Sequence, residues 1–212
     1  MRPGRKTAVA GAAAAGAVVA AGAGARRLRA LDHNRHGQAY ALTTFAPILP
    51  GHEDAVREHI ESLPKGTGSP LARLEQLHFS RLHIFDELVY QGAPQKPDTL
   101  RSAYLVFTGS FDGGLDPFLD DLCAKVGPDA DAWWSHCVAY PGTADREAFG
   151  RWIRHNQIGT GLYASAYPNE SVADVREALA LRRRVLDFAI DAQGLDAPEL
   201  KSRFDAAFGG AR

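Results

Sequence analysis

The strongest constraint on this fold is a connection. Two strand-like runs, His78 to about Val89 and Arg101 to Ser110, are separated by Gln91–Thr99, a stretch of Gly, Pro and polar residues unsuited to a crossover helix. Strands joined in this direct way are neighbours in an antiparallel sheet. On the N-terminal side, Gln38–Ile48 alternates as a first strand, with Pro47 and Pro50-Gly51 stopping it. His52–Leu63 follows as a helix bearing Val56, Ile60 and Leu63 at helical spacing. Ser69-Pro70 then supplies the cap and first-turn proline of a short helix carrying Leu71, Leu74 and Leu77. On the C-terminal side, Gly109–Gly114 forms a turn, and Asp116-Pro117 opens a helix with Phe118, Leu119, Leu122 and Val126 on one stripe. Gly127-Pro128 is expected to end that helix, and Trp133–Tyr140 to form a fourth strand before Pro141-Gly142.

The resulting order is β-α-β-β-α-β, the ferredoxin-like unit of the α+β class. Its antiparallel sheet packs helices on one face and needs a cover on the other, from a partner subunit or from later elements. Three regions follow: an appendage and polar linker over 1–37, a ferredoxin-like domain over 38–142, and a helical extension over 143–212 packed on it. In the extension Asp145 caps a helix from Arg146 to Ile158, and Leu162-Tyr163-Ala164 is a short aromatic segment. Ser171 and Asp174 resemble a capping box that starts a long helix, Val172 to about Ala192. Val175, Leu179, Leu186, Ala189 and Ile190 line one stripe of it, and Pro198–Phe208 forms a last helix.

The N-terminal region is compositionally distinct. Arg2, Arg5 and Lys6 precede an uncharged Ala/Gly/Val run from Thr7 to Ala25, and Arg26, Arg27 and Arg29 follow it. The run approaches the ~20 residues that a helix needs to cross a bilayer. It is read as a membrane anchor of undetermined orientation. The alternatives are a signal segment cleaved near Ala23-Gly24-Ala25, with export of the remainder, and a disordered Ala/Gly leader. A formal net charge of -1 argues against a nucleic-acid partner. Cys123 and Cys137 have no paired spacing and read as unrelated thiols, and no CxxC, HExxH, Walker or GxGxxG pattern occurs.

Chemistry concentrates on the strand that begins at His78. Alternation puts Phe79, Arg81, His83 and Phe85 on one face, where a guanidinium and an imidazole among aromatic rings need a partner if buried. Asp86 and Asp112 are candidate salt-bridge partners for Arg81. On the expected fourth strand, His136 shares a face with Trp134, Val138 and Tyr140. His155 follows on a helix beside Trp152, with Arg151 and Arg154 nearby; His52 and His59 read as surface residues. Such faces suit a flat, partly apolar ligand: heme, an aromatic substrate or a fatty acid.

Three segments carry a resemblance: His78-Phe79-Ser80-Arg81, the run from Tyr104 through Phe111-Asp112-Gly113, and Ser135–Gly142. They resemble bacterial proteins of the dimeric α/β-barrel group, which holds dye-decolorising peroxidases, chlorite dismutases and small heme-degrading monooxygenases. Gly109–Gly113 also matches the G-x-x-D-G motif of the dye-decolorising peroxidases, whose aspartate serves the distal heme pocket. The resemblance implies a homodimer, or a partner chain, and a heme-binding peroxidase- or monooxygenase-like oxidoreductase. In that reading His155 is the axial ligand, and His78 and His136 line the cofactor. Arg81 stabilises charge on a bound peroxide, and His83 or Asp112 moves its proton. Two rivals remain: a non-catalytic, membrane-tethered binding module for a lipid or aromatic ligand, and an assembly subunit.

Overall fold

A computed structural model of the chain describes residues 33–88, 90, 92–94 and 100–209. The run Thr7–Ala25 lies outside these residues, as does most of Gln91–Thr99. No described helix is long and apolar enough to cross a membrane. The chain divides into two compact units between Asn169 and Glu170.

The first unit is an α+β arrangement around a four-stranded antiparallel sheet. Its strands are β1 (Arg35–His36), β2 (Ala39–Pro47), β3 (Leu77–Phe85) and β4 (Tyr104–Asp112), in the order β1-β2-β4-β3. Its helices are α1 (Glu53–Ser62), α2 (Leu115–Trp134) and α3 (Arg146–Asn156). β2 and β4 pair along their whole length, from Ala39 opposite Asp112 to Pro47 opposite Tyr104. β3 pairs with the other edge of β4, from Leu77 opposite Phe111 to Phe85 opposite Tyr104, with an irregularity between Leu77 and Phe79.

One face of the sheet carries the core. Tyr40, Leu42, Ala46, Leu105, Phe107 and Phe111 point from it towards Phe118, Leu122, Val126, Trp134, Phe149 and Ile153 of the helices. Phe111 stacks on Phe118 at 3.7 Å between ring centroids and on Tyr40 at 5.3 Å. Leu82 and Ile84 of β3 join this face, which places Phe79, Arg81, His83 and Phe85 on the other.

The expected fourth strand does not form. Trp133 and Trp134 are instead the last turn of α2, which runs through Gly127-Pro128 without ending. The energetic reason is burial. A proline inside a helix costs about 3 kcal/mol, whereas losing a buried tryptophan costs about 3–5 kcal/mol. Continuing the helix buries Ala130, Trp133 and Trp134 completely.

The outer edge of β2, where a fourth strand would lie, is covered by three separate stretches of chain. Asn34 accepts from the Ala41 amide at 2.8 Å beside β1, and Ile158 donates to Thr43 at 2.9 Å. Val138 donates to Pro47 and Leu49 to His136, both at 2.8 Å. Exposed strand edges template aggregation, and these contacts cap this one. Residues 33–37, expected as a linker, thus belong to the sheet. Asn34 is fully buried there, and its Oδ1 accepts from the Thr160 amide at 2.7 Å.

The turn between β1 and β2 depends on Gly37, which has a φ of +62°. A Cβ at this position would lie 1.8 Å from the Pro168 carbonyl oxygen, which accepts the Gln38 amide at 2.7 Å. Gly37→Ala is therefore expected to cost about 1–3 kcal/mol through strain, with further loss from the broken clasp. Urea denaturation measures it, and an unchanged midpoint would contradict this role for the turn.

The second unit is a helical hairpin, α4 (Val172–Asp191) and α5 (Ala197–Phe208). Ser171 and Asp174 form the expected capping box, and Asp196 caps α5 through the Glu199 amide at 2.9 Å. Phe188 meets Phe204 and Phe208 edge-on, at 5.8 and 5.4 Å.

Candidate functional site

The sheet face turned away from the helices holds the residues singled out on β3. Register places them in rows. Phe79 lies beside Ser110 and Ala41, Arg81 beside Thr108 and Thr43, His83 beside Val106 and Phe45, and Phe85 beside Tyr104 and Pro47. Phe45 touches the rings of Phe85 and Tyr104 at centroid distances of 6.2 Å, making an aromatic end. At the other end, Tyr163 covers Ser110, the two hydroxyls 2.6 Å apart. Phe79 stands 71% exposed between that end and Arg81.

Arg81 has neither of the partners expected for it. Asp86 pairs with Arg57 at 2.6 Å, and Asp112 with His78 Nε2 at 2.8 Å. Among the described residues the side chains of Arg81 and His83 take part in no hydrogen bond or ion pair. A cation therefore stands over a half-apolar surface with its donors open to a ligand. His78 and Asp112 close one end of the same face, and the irregularity at Leu77/Phe79 lets the His78 ring turn to the carboxylate.

His136 and His155 lie elsewhere. His136 follows α2, and its Nδ1 is 2.8 Å from Nδ1 of His52, just ahead of α1. One ring must donate and the other accept, so at least one of the pair is neutral. Burial holds His136 below the ordinary histidine value, and the charges of His52 and His59 lower it further. His52 was expected only as a surface residue; nothing in the sequence brings it to His136, since the contact depends on where the turn after α2 lands.

His155 is on the exposed side of α3, whose other side, with Phe149, Trp152 and Ile153, packs into the core. The sheet separates it from Arg81 and His83, so one molecule cannot meet all three within a protomer. Arg151 pairs with Glu147 and Arg154 with Asp116, so both cations near His155 have carboxylate partners. The shallow cleft there, about 240 Å³, is lined by these charges together with Asp120 and Arg146, themselves a pair. His155 itself is exposed and does not line that cleft, whose volume is below the usual size of a ligand pocket.

Both cysteines are free thiols, and burial pushes Cys137 up to about 12, which makes it unreactive at neutral pH. Sequence reasoning missed Thr43, Thr108, Phe45 and Tyr104 as neighbours of Arg81, because only the register of β2 and β3 on β4 identifies them. No family model matches the chain, and no curated protein or solved structure is similar to it at a significant level.

Proposed function

We propose that the protein is a binding module whose ligand lies on the uncovered face of the sheet. The ligand class is an aromatic or lipid-like molecule with an acidic group. One observation carries the reading: among the described residues Arg81 is an unpaired guanidinium, at the centre of a face built from Phe79, Phe45, Phe85 and Tyr104. A guanidinium binds a carboxylate or sulfonate through a planar fork, and aromatic side chains cover the apolar body of the same molecule. Thr43 and Thr108 offer hydroxyls beside that fork, and His83 a further donor. His78, held by Asp112, closes the end of the surface and presents its other ring nitrogen.

The chain order supports a ferredoxin-like unit with an interrupted last strand. In that reading β2, β4 and β3 would be its first, third and second strands, and residues 136–138, which run along the outer edge of β2, would stand in for the fourth. In the homodimer that the resemblance implies, a second sheet would close over this face and enclose the ligand. The run Thr7–Ala25 would tether the module to a membrane.

The test is a fluorescence titration with 1-anilinonaphthalene-8-sulfonate, an aromatic ring system bearing one anionic group. Replacing a charge-assisted hydrogen bond costs about 1.5–3 kcal/mol, so Arg81→Glu is expected to weaken binding by roughly tenfold to a hundredfold. His155→Ala is expected to leave it unchanged. Equal affinity in wild type and Arg81→Glu would overturn the proposal. So would a hemin-induced Soret band that His155→Ala abolishes, which would establish a heme protein instead.

A further inference from the structure

We propose that α4 pairs antiparallel with α4 of a second copy of the chain, independently of the sheet-face site. α5 takes only one side of α4. Phe188 meets the α5 rings, and Arg184 donates to the Ala207 carbonyl at 2.7 Å with its guanidinium 5.4 Å from the Phe208 ring centre. At about 100° per residue, Val175, Leu179, Leu186 and Ile190 fall within about 60° of one another on the opposite side. These four are between 39% and 66% exposed, an apolar stripe unmatched to anything in the hairpin.

The charges beside the stripe identify the occupant. Arg176, Arg183 and Asp187 project from one shoulder of it, with Asp191 further round towards the α5 side, basic towards the N-terminus and acidic towards the C-terminus. Among the described residues none of the four is in an ion pair. In a twofold antiparallel pair the same shoulder of each helix meets its copy. With the axis level with Arg184, a rise of 1.5 Å per residue brings Arg176 within about 2 Å, along the axis, of Asp191 in the second copy. Arg183 and Asp187 likewise come within about 3 Å of level. Each contact occurs twice; the two Arg183 side chains also come within about 3 Å of level with each other, between the two Asp187 carboxylates, whereas a parallel pair would set this shoulder against the other shoulder of its copy.

Sedimentation velocity on the full chain tests this over a range of concentrations. Leu186→Glu, at a half-exposed position where the helix tolerates it, is expected to halve the mass of the assembly while circular dichroism stays unchanged. Arg183→Asp and Asp187→Arg should each weaken association, and combining them should restore it, because the swap recreates the complementary shoulder. Phe79→Glu, on the sheet face, should leave this step intact. A wild type that is monomeric throughout, a Leu186→Glu chain of unchanged mass, or a double swap without rescue would overturn the pairing.

Discussion

Trp134→Ala is expected to lower stability by about 3–5 kcal/mol, a large share of the 5–15 kcal/mol typical of a folded domain. Trp134 is fully buried and joins three elements. Its ring meets Phe107 of β4 at 5.7 Å, Phe149 and Trp152 of α3 at 5.5 and 5.9 Å, and Tyr140 at 6.4 Å. Removing it leaves a cavity where sheet, α2 and α3 converge, and none of the three can close it alone. The indole N–H of Trp134 is buried with no protein acceptor among the described residues. Trp134→Phe therefore gives up volume but also an unsatisfied donor, and its expected cost is smaller, about 1–2 kcal/mol. Urea denaturation followed by circular dichroism separates the two. Equal losses would mean that the indole N–H matters more than the packing.

The second large effect is at Asp131. Its carboxylate accepts from the Tyr140 hydroxyl at 2.6 Å, the Thr143 amide at 2.9 Å and the Thr143 hydroxyl at 3.0 Å, tying the end of α2 to the turn before α3. Burial raises the Asp131 pKa, but the three hydrogen bonds outweigh it and hold the group below its ordinary 3.8. On the other side of the bond, burial and the Asp131 carboxylate push the Tyr140 hydroxyl well above its ordinary value. Asp131→Ala leaves three donors without an acceptor, at an expected cost of about 2–4 kcal/mol at neutral pH. Because the folded-state value is depressed, the stabilisation is fully present above pH ~4 and fades as pH falls through the folded value. The gap between wild type and Asp131→Ala should thus be constant from about pH 5 to 7 and narrow below pH ~4. Urea midpoints across that range measure it; a gap independent of pH would mean that the carboxylate is not the acceptor that matters.

Much of the framework was legible because local and global signals agreed. The polar connection before Arg101, the alternation of β2 and the Ser171–Asp174 capping box each specify an element whose packing follows. The fourth strand was misread where they disagreed. Gly127-Pro128 is a local stop signal and Trp133–Tyr140 carries three aromatic residues and Val138, yet the apolar spacing of Val126, Ala130 and Trp133-Trp134 continues the helical stripe. Alternation grouped Phe79, Arg81, His83 and Phe85 correctly but carried no information on which way the group faced. That depended on Leu82 and Ile84 reaching the core. Asp131 gave no sequence signal, since its three donors arrive from residues 140 and 143 only once α2 has run past it.

The central claim is that ligand binding belongs to the open sheet face centred on Arg81. Amide chemical shifts recorded by NMR during titration with 1-anilinonaphthalene-8-sulfonate test it most directly. The account predicts saturable shifts at Thr43, Arg81, His83 and Thr108, with α3 and α4 unmoved; shifts confined to α3 around His155, or to α4, would contradict it.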